Sequence, residues 1–140
     1  MAPKPRVVID LNVILDVLQR REPFYALSAW VLASAETGRF DGWVAAHSLT
    51  TLFYLIAKYE SAEQARLTLS QLLSFLKVAA VDQEVIEQAL NLPARDFEDA
   101  VQMAAAVRAG AECVVTRVPQ GFKLGPLPAL SPAELLAVLE

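Results

Sequence analysis

Short apolar segments alternate with amphipathic ones along this chain, and that alternation constrains the fold more than any other feature. The first segment, residues 6–9, is rich in β-favouring side chains and runs directly into Asp10. Apolar residues at helical spacing follow at once. Strands that alternate with helices predict a parallel sheet covered on both faces. The expected fold class is therefore α/β, a three-layer α/β/α arrangement with a central, mostly parallel sheet.

The same reading assigns the rest of the chain. Gly38 and Gly110 are predicted helix stops, and Ser48 is predicted to cap the helix after it. The helix over 24–37 is predicted to bury Phe24, Leu27, Trp30, Val31 and Ala35. Further predicted strands cover 42–46, 77–81 and 112–116; predicted helices cover 12–19, 24–37, 49–59, 61–75, 83–91 and 96–109, and a last short one begins at Ser131.

Composition limits the class of protein. A chain of 140 residues with 55% hydrophobic content fits one globular domain, 1–140. No apolar run reaches the roughly 18 residues of a membrane span, the start lacks a signal-peptide core, and Cys113 is the only cysteine. We therefore expect a cytoplasmic protein. The net charge of −4 argues against a simple nucleic-acid binder, but not against an acidic metal site that handles nucleic acid.

Three acids stand apart from the solvated ones. Asp10 ends the first strand, and Asp96 and Asp99 open the helix over 96–109. Each has an ordinary explanation, because Asp10 could cap the next helix and Asp96 with Asp99 imitates a capping box. Yet strand ends and helix starts share one rim of a parallel sheet, so the three carboxylates could also converge. Clustered carboxylates would then bind Mg²⁺ or Mn²⁺, which activates water for phosphoryl displacement.

Several segments together resemble the PIN domain family, which includes the VapC-type toxin ribonucleases. The resemblance spans nearly the whole chain, and its most specific segment is the one over 96–106. It rests on Val8-Ile9-Asp10-Leu11-Asn12-Val13-Ile14-Leu15-Asp16, Arg21-Glu22-Pro23-Phe24, Ala46-His47-Ser48-Leu49-Thr50-Thr51-Leu52, Asp96-Phe97-Glu98-Asp99-Ala100-Val101-Gln102-Met103-Ala104-Ala105-Ala106, Gly110-Ala111 and Val114-Val115-Thr116-Arg117.

The resemblance implies a Mg²⁺- or Mn²⁺-dependent endoribonuclease of the toxin type. Asp10 and Asp99 would be the principal metal ligands, and Asn12 and Thr116 would line the pocket. Asp96 would be either an additional ligand or a group that supports the ligands without touching the metal. It also implies a homodimer and a small antitoxin as partner. Separately, Arg95 and Arg117 flank the proposed carboxylates, so we expect them to contact the RNA phosphates.

Two departures from the family pattern keep an alternative open. The family often has a glutamate where Thr51 or Leu52 stands, and an Asp or Asn where Val118 stands. Fewer carboxylates mean weaker cation binding, so the alternative is a catalytically weakened PIN-like module that binds RNA or regulates. A receiver-like signalling domain is disfavoured, because no central strand ends in a lone aspartate and no lysine follows the last-but-one strand.

Overall fold

A five-stranded parallel sheet forms the centre of the protein. The computed structural model describes residues 4–94, 96–122 and 125–140. The strand order is β3-β2-β1-β4-β5, and all four pairings are parallel, which confirms the predicted class. The strands are β1 (Arg6–Ile9), β2 (Asp41–Ala45), β3 (Lys77–Ala79), β4 (Cys113–Val115) and β5 (Ala129–Leu130).

Helices cover both faces of this sheet, and the side chains of β1 show why. Val7 and Ile9 pack into a core with the helices on one face, whereas Val8 points to the other face against Met103 and Ala106. The side chains of Val7, Val8 and Ile9 are all fully buried, and each contributes about 1.5–3 kcal/mol to stability. The helices in the described residues are α1 (Leu11–Leu18), α2 (Tyr25–Glu36), α3 (Ala46–Tyr59), α4 (Ala62–Leu73), α5 (Gln83–Leu90), α6 (Phe97–Arg108) and α7 (Pro132–Leu139).

Local capping signals explain where most helices begin and end. The Ser61 hydroxyl accepts a hydrogen bond from the Gln64 N–H, and Ser131 forms a complete capping box with Glu134. Gly38 and Gly110 have φ values of 82° and 75°, a region that favours glycine. Both glycines therefore end helices as predicted. None of the described helices has the length and hydropathy that a membrane span needs.

The prediction that Ser48 caps its helix is wrong. Strand β2 passes directly into α3, so Ala45 is the N-cap and Ser48 lies buried in the first turn. Two of the predicted buried residues of α2 are also wrong, because Phe24 and Leu27 are about 40% exposed. Helix α2 instead buries Ser28, Val31, Leu32, Ser34 and Ala35. Strand β5 and a 3-10 helix over Pro119–Phe122 lie in a segment for which the sequence predicted neither.

The strand order places a crevice at the carboxyl end of β1. From β1 the chain proceeds to β2 and β3 on one side, then returns to β4 on the other side of β1. Ligands of open α/β sheets bind at such a switch point, beyond the carboxyl ends of the strands. Asp10 follows β1, and Thr116 follows β4, so the fold brings these two residues to the switch point.

Candidate functional site

An acidic pocket of about 200 Å³ opens at this switch point. It is lined by Asp10, Leu11, Asn12, His47, Ser48, Asp96, Glu98, Asp99 and Gln102. The residues come from the end of β1 and the starts of α1, α3 and α6, so elements distant in sequence build one polar concavity. The predicted residues Asp10, Asp96, Asp99 and Asn12 all lie in its wall.

Asp10 is held in place by two hydrogen bonds from other elements. The Gln102 amide donates from Nε2 to Oδ1 over 3.2 Å, and the Thr116 hydroxyl donates to Oδ2 over 3.0 Å. The Val118 N–H donates to the oxygen of the Thr116 hydroxyl. The single proton of that hydroxyl is therefore directed to the Asp10 carboxylate. Asp10 stands at the N-cap of α1, but its side chain makes no capping hydrogen bond. Its carboxylate is therefore oriented by the sheet and α6, and not by α1.

Asp96 has the ordinary role considered for it, at least through one oxygen. Its Oδ1 accepts hydrogen bonds from the N–H groups of Glu98 and Asp99, at 2.8 and 3.3 Å, and so caps α6. The cap fixes the first turn of α6, and that turn carries Asp99 into the pocket. Asp96 thus contributes to the site by positioning its neighbour as well as by its own charge.

Asp99 experiences the strongest electrostatic perturbation in the pocket. Burial raises its pKa to about 6, and the negative charges of Asp10, Asp96 and Glu98 add to that effect. The ionised form is disfavoured because several acids share a partly desolvated space. Strongly perturbed carboxyl groups in a cleft are typical of functional sites. A cation bound there would relieve the repulsion.

The donor set fits a hard divalent cation that keeps part of its water shell. Among residues 4–94, 96–122 and 125–140, no group of three or more Asp, Glu, His or Cys side chains is close enough to hold a metal ion. Mg²⁺, however, is usually bound by only one or two carboxylates together with waters and substrate phosphates. Asp10 and Asp99 meet that requirement, with Asp96 as a further oxygen donor on the same wall.

Five residues in the wall were not predicted from the sequence as site residues, and two of them, Gln102 and His47, make contacts that shape the site. Gln102 holds Asp10 from the middle of α6 and is 2% exposed. His47 places its Nε2 3.1 Å from the carbonyl oxygen of Glu98 and so connects α3 to the first turn of α6. Gln102 follows Asp99 by three residues and so shares its helix face, but only the contact with Asp10 marks it as a site residue.

The predicted phosphate contacts lie elsewhere or outside the described residues. Arg117 Nε is 3.0 Å from the buried Asp16 Oδ2, without the alignment of a hydrogen bond, and its guanidinium carbon lies 4.2 Å from the centroid of the Phe24 ring. Its charge is thereby directed to Asp16. Arg95 lies outside the residues that the structure describes.

The two departures from the family pattern have clear structural counterparts. Leu52 is fully buried in the core, and the Thr51 hydroxyl lies 3.4 Å from the His47 carbonyl oxygen. Val118 is 57% exposed, and its N–H supports Thr116. Neither position brings an acid to the pocket, so Asp10, Asp96, Asp99 and Glu98 supply its negative charge.

Comparison with known proteins identifies the family. A sequence model described as "PIN domain" matches residues 6–117. The chain belongs to the PIN domain family. Among curated proteins, this PIN domain is similar to ribonuclease VapC1 of Aquifex aeolicus, with 22% identity over 116 residues, 79% of this chain and 80% of that protein.

Solved structures share the fold at low sequence identity. A toxin–antitoxin complex from Klebsiella pneumoniae aligns with a TM-score of 0.67 at 18% identity, covering 90% of this PIN domain and 97% of that chain. VapBC2 from Rickettsia felis, bound to a promoter DNA fragment, gives 0.68 at 17%, covering 90% and 98%. VapC20 of Mycobacterium tuberculosis, a toxin that cleaves the sarcin–ricin loop, gives 0.61 at 15%, covering 77% and 86%.

Proposed function

We propose that this PIN domain is a metal-dependent endoribonuclease of the toxin type, which hydrolyses RNA phosphodiesters at the acidic pocket. Asp10 and Asp99 are the principal ligands of Mg²⁺ or Mn²⁺. Asp96 supports them by capping α6 and by its charge, because no three such side chains among the described residues are close enough to share one ion. The observation that carries the proposal is the presence of Asp10 and Asp99 in the wall of one pocket at the switch point of the sheet, where burial and the neighbouring acids raise the pKa of Asp99.

The chain's own residues set up the chemistry at this pocket. When bound, the ion supplies an activated water and stabilises charge on the phosphodiester. Thr116 and Gln102 hold both oxygens of Asp10 through hydrogen bonds and so fix the direction of its remaining lone pairs. Asp99, with a pKa of about 6, is mostly ionised at neutral pH and available as a ligand. Asn12 lines the entrance and can orient a substrate oxygen.

We assign fewer contacts to the RNA phosphates than the sequence predicted. Arg117 is engaged by Asp16 and Phe24, so we do not assign it a phosphate. Arg95 stays a predicted phosphate contact. We propose an antitoxin protein as partner, because several of the similar structures are complexes of toxin with antitoxin. The predicted homodimer is a further proposal, which light scattering of the purified protein tests.

The weakened RNA-binding or regulatory module remains the second candidate. It is favoured by the absence of an acid at Leu52 and Val118, and by the lack of three converging metal-ligating side chains among the described residues. This candidate predicts RNA binding without cleavage. It differs from the first candidate only in the strength of the metal site, so both are separated by one experiment.

That experiment measures Mn²⁺ binding by calorimetry and RNA cleavage in parallel. Wild type should bind Mn²⁺ and cleave, and Asp10→Asn and Asp99→Asn should each lower Mn²⁺ affinity about tenfold or more and abolish cleavage. Glu87→Gln, which neutralises an exposed acid of α5 outside the pocket, is the matched control. Wild type that binds no Mn²⁺ at millimolar concentration and leaves RNA intact would refute the nuclease and favour the module.

A further inference from the structure

Gln102 is a polar residue in a position where an apolar one would be expected. It lies in the middle of α6, on the stretch Ala100–Ala106 that is buried throughout. A leucine or methionine there would fill the same space without the cost of burying an amide. The buried amide therefore calls for an explanation. Its NH₂ group is explained, because Nε2 donates a hydrogen bond to Asp10.

The other half of the amide has no partner among the described residues. Gln102 Oε1 is buried and accepts no hydrogen bond there. The amide orientation is fixed, since only the NH₂ group can donate to a carboxylate. The oxygen therefore lacks a partner, on a residue that lines the pocket together with Asp10 and Asp99. Buried polar atoms are almost always satisfied, so an exception of this kind calls for a ligand.

We propose that Gln102 Oε1 is a neutral oxygen ligand of the divalent cation held by Asp10 and Asp99. It takes over part of the coordination that the missing acids at Leu52 and Val118 would otherwise supply. Amide oxygens are regular ligands of hard cations, and Gln102 follows Asp99 by three residues, which puts both side chains on one face of α6. This inference rests on the proposed function.

Two substitutions at this position separate a ligand from a residue that only orients Asp10. Gln102→Met keeps the volume but removes both amide functions, and we expect Mn²⁺ affinity to fall about tenfold. Gln102→Glu loses the donor to Asp10 but offers a charged oxygen, and at pH 8 we expect Mn²⁺ affinity to rise about tenfold, because affinity follows ligand charge. An orienting residue would lose affinity in both variants. Gln88→Met, an exposed glutamine of α5, is the matched control.

Calorimetric titration with Mn²⁺ distinguishes a ligand from an orienting residue. It is carried out on wild type, Gln102→Met, Gln102→Glu, Gln88→Met and Asp99→Asn. Opposite changes in Gln102→Met and Gln102→Glu establish the ligand, whereas weakening in both, or no change in either, overturns it. Wild type that binds Mn²⁺ and loses affinity on Asp99→Asn keeps the proposed function even then. Wild type that binds no Mn²⁺ removes the proposed function and this inference together.

A measurement on wild type protects the test against a variant that does not fold. In ¹³C,¹⁵N-labelled wild type, the side-chain NH₂ resonance of Gln102 should move on saturation with Mg²⁺, while that of Gln88 should stay. Triple-resonance spectra of the same wild-type sample assign both resonances. A Gln102 resonance that does not move while Mg²⁺ binds would overturn the inference.

Discussion

Neutralising Asp99 should stabilise the metal-free protein at neutral pH. Its pKa is raised from 3.8 to about 6 by burial and by the charges of Asp10, Asp96 and Glu98. Each pKa unit corresponds to about 1.4 kcal/mol, so roughly two units set an upper bound of ~3 kcal/mol. Asp99 is only partly buried, and solvent screens part of this energy. We expect Asp99→Asn to raise the free energy of unfolding by about 1–2 kcal/mol at pH 7.

The pH dependence of this gain follows from linkage. Below about pH 4 the carboxyl is neutral in both the folded and the unfolded protein, so Asp and Asn should be nearly equal in stability. As pH rises from about 4 to about 6, the carboxyl ionises in the unfolded protein but keeps its proton in the folded one, so wild type loses stability. Above about pH 6 both states are ionised and the loss is complete. The difference between variant and wild type should therefore be near zero at pH 4 and largest at pH 7.

Urea unfolding followed by tryptophan fluorescence at pH 4 to 8, with EDTA present, measures both quantities. Glu87→Gln removes an exposed charge outside the pocket and should change stability by less than about 0.5 kcal/mol at every pH. Added Mn²⁺ should reduce the difference, because a ligand that binds only the folded state stabilises wild type more than the variant. An Asp99→Asn protein that gains nothing between pH 4 and pH 7 would refute the electrostatic reasoning.

Three further substitutions test contacts elsewhere in the fold by urea unfolding. Arg117→Met should lower the free energy of unfolding by about 2–4 kcal/mol at pH 7, because it leaves the buried Asp16 carboxylate without its nearest cation. The loss should be smaller at pH 4, and an equal loss at both pH values would contradict this explanation. Gly42→Ala should cost about 1–2 kcal/mol, since an added Cβ meets a Leu76 methyl at 2.7 Å and the Ala35 Cβ at 3.0 Å; unchanged stability would show that the core gives way. Ser131→Ala should cost about 1 kcal/mol through loss of the capping box and leave Mn²⁺ affinity unchanged, and a change in affinity would show that α7 couples to the pocket.

Most of the fold could be predicted because its signals are local. Within the part of the chain that the structure describes, the alternation of β-favouring runs with helical spacing predicts four of the five strands and each of the seven helices to within a few residues. Strand β5 could not be found this way, because two residues carry no periodicity and its strand character comes from pairing Ala129 and Leu130 with β4. Ser48 misled for a related reason, since a serine can cap only where the helix begins, and β2 continues straight into α3.

The candidate site divides along the same line. Asp10 and Asp99 could be singled out because one ends an apolar strand and the other opens a helix, and such ends meet at one edge of a parallel sheet. Gln102 and His47 could not be assigned, because their significance lies in single contacts to Asp10 and to the Glu98 carbonyl. No pattern within either helix encodes those partners. Conversely, the sequence predicted that Arg117 contacts a phosphate, whereas the structure pairs it with Asp16, which lies 101 residues earlier.

The sequence by itself determined the parallel α/β class, the strand that ends in Asp10 and the acids that open α6, because hydrophobic period and capping chemistry act over a few residues. Only the tertiary structure decided what Asp10 contacts. Its two hydrogen bonds reach Gln102 and Thr116, 92 and 106 positions away, and the raised pKa of Asp99 arises only when burial and three other acids meet around it. Contacts across such separations depend on how the sheet and helices pack, and that packing depends on interactions along the whole chain.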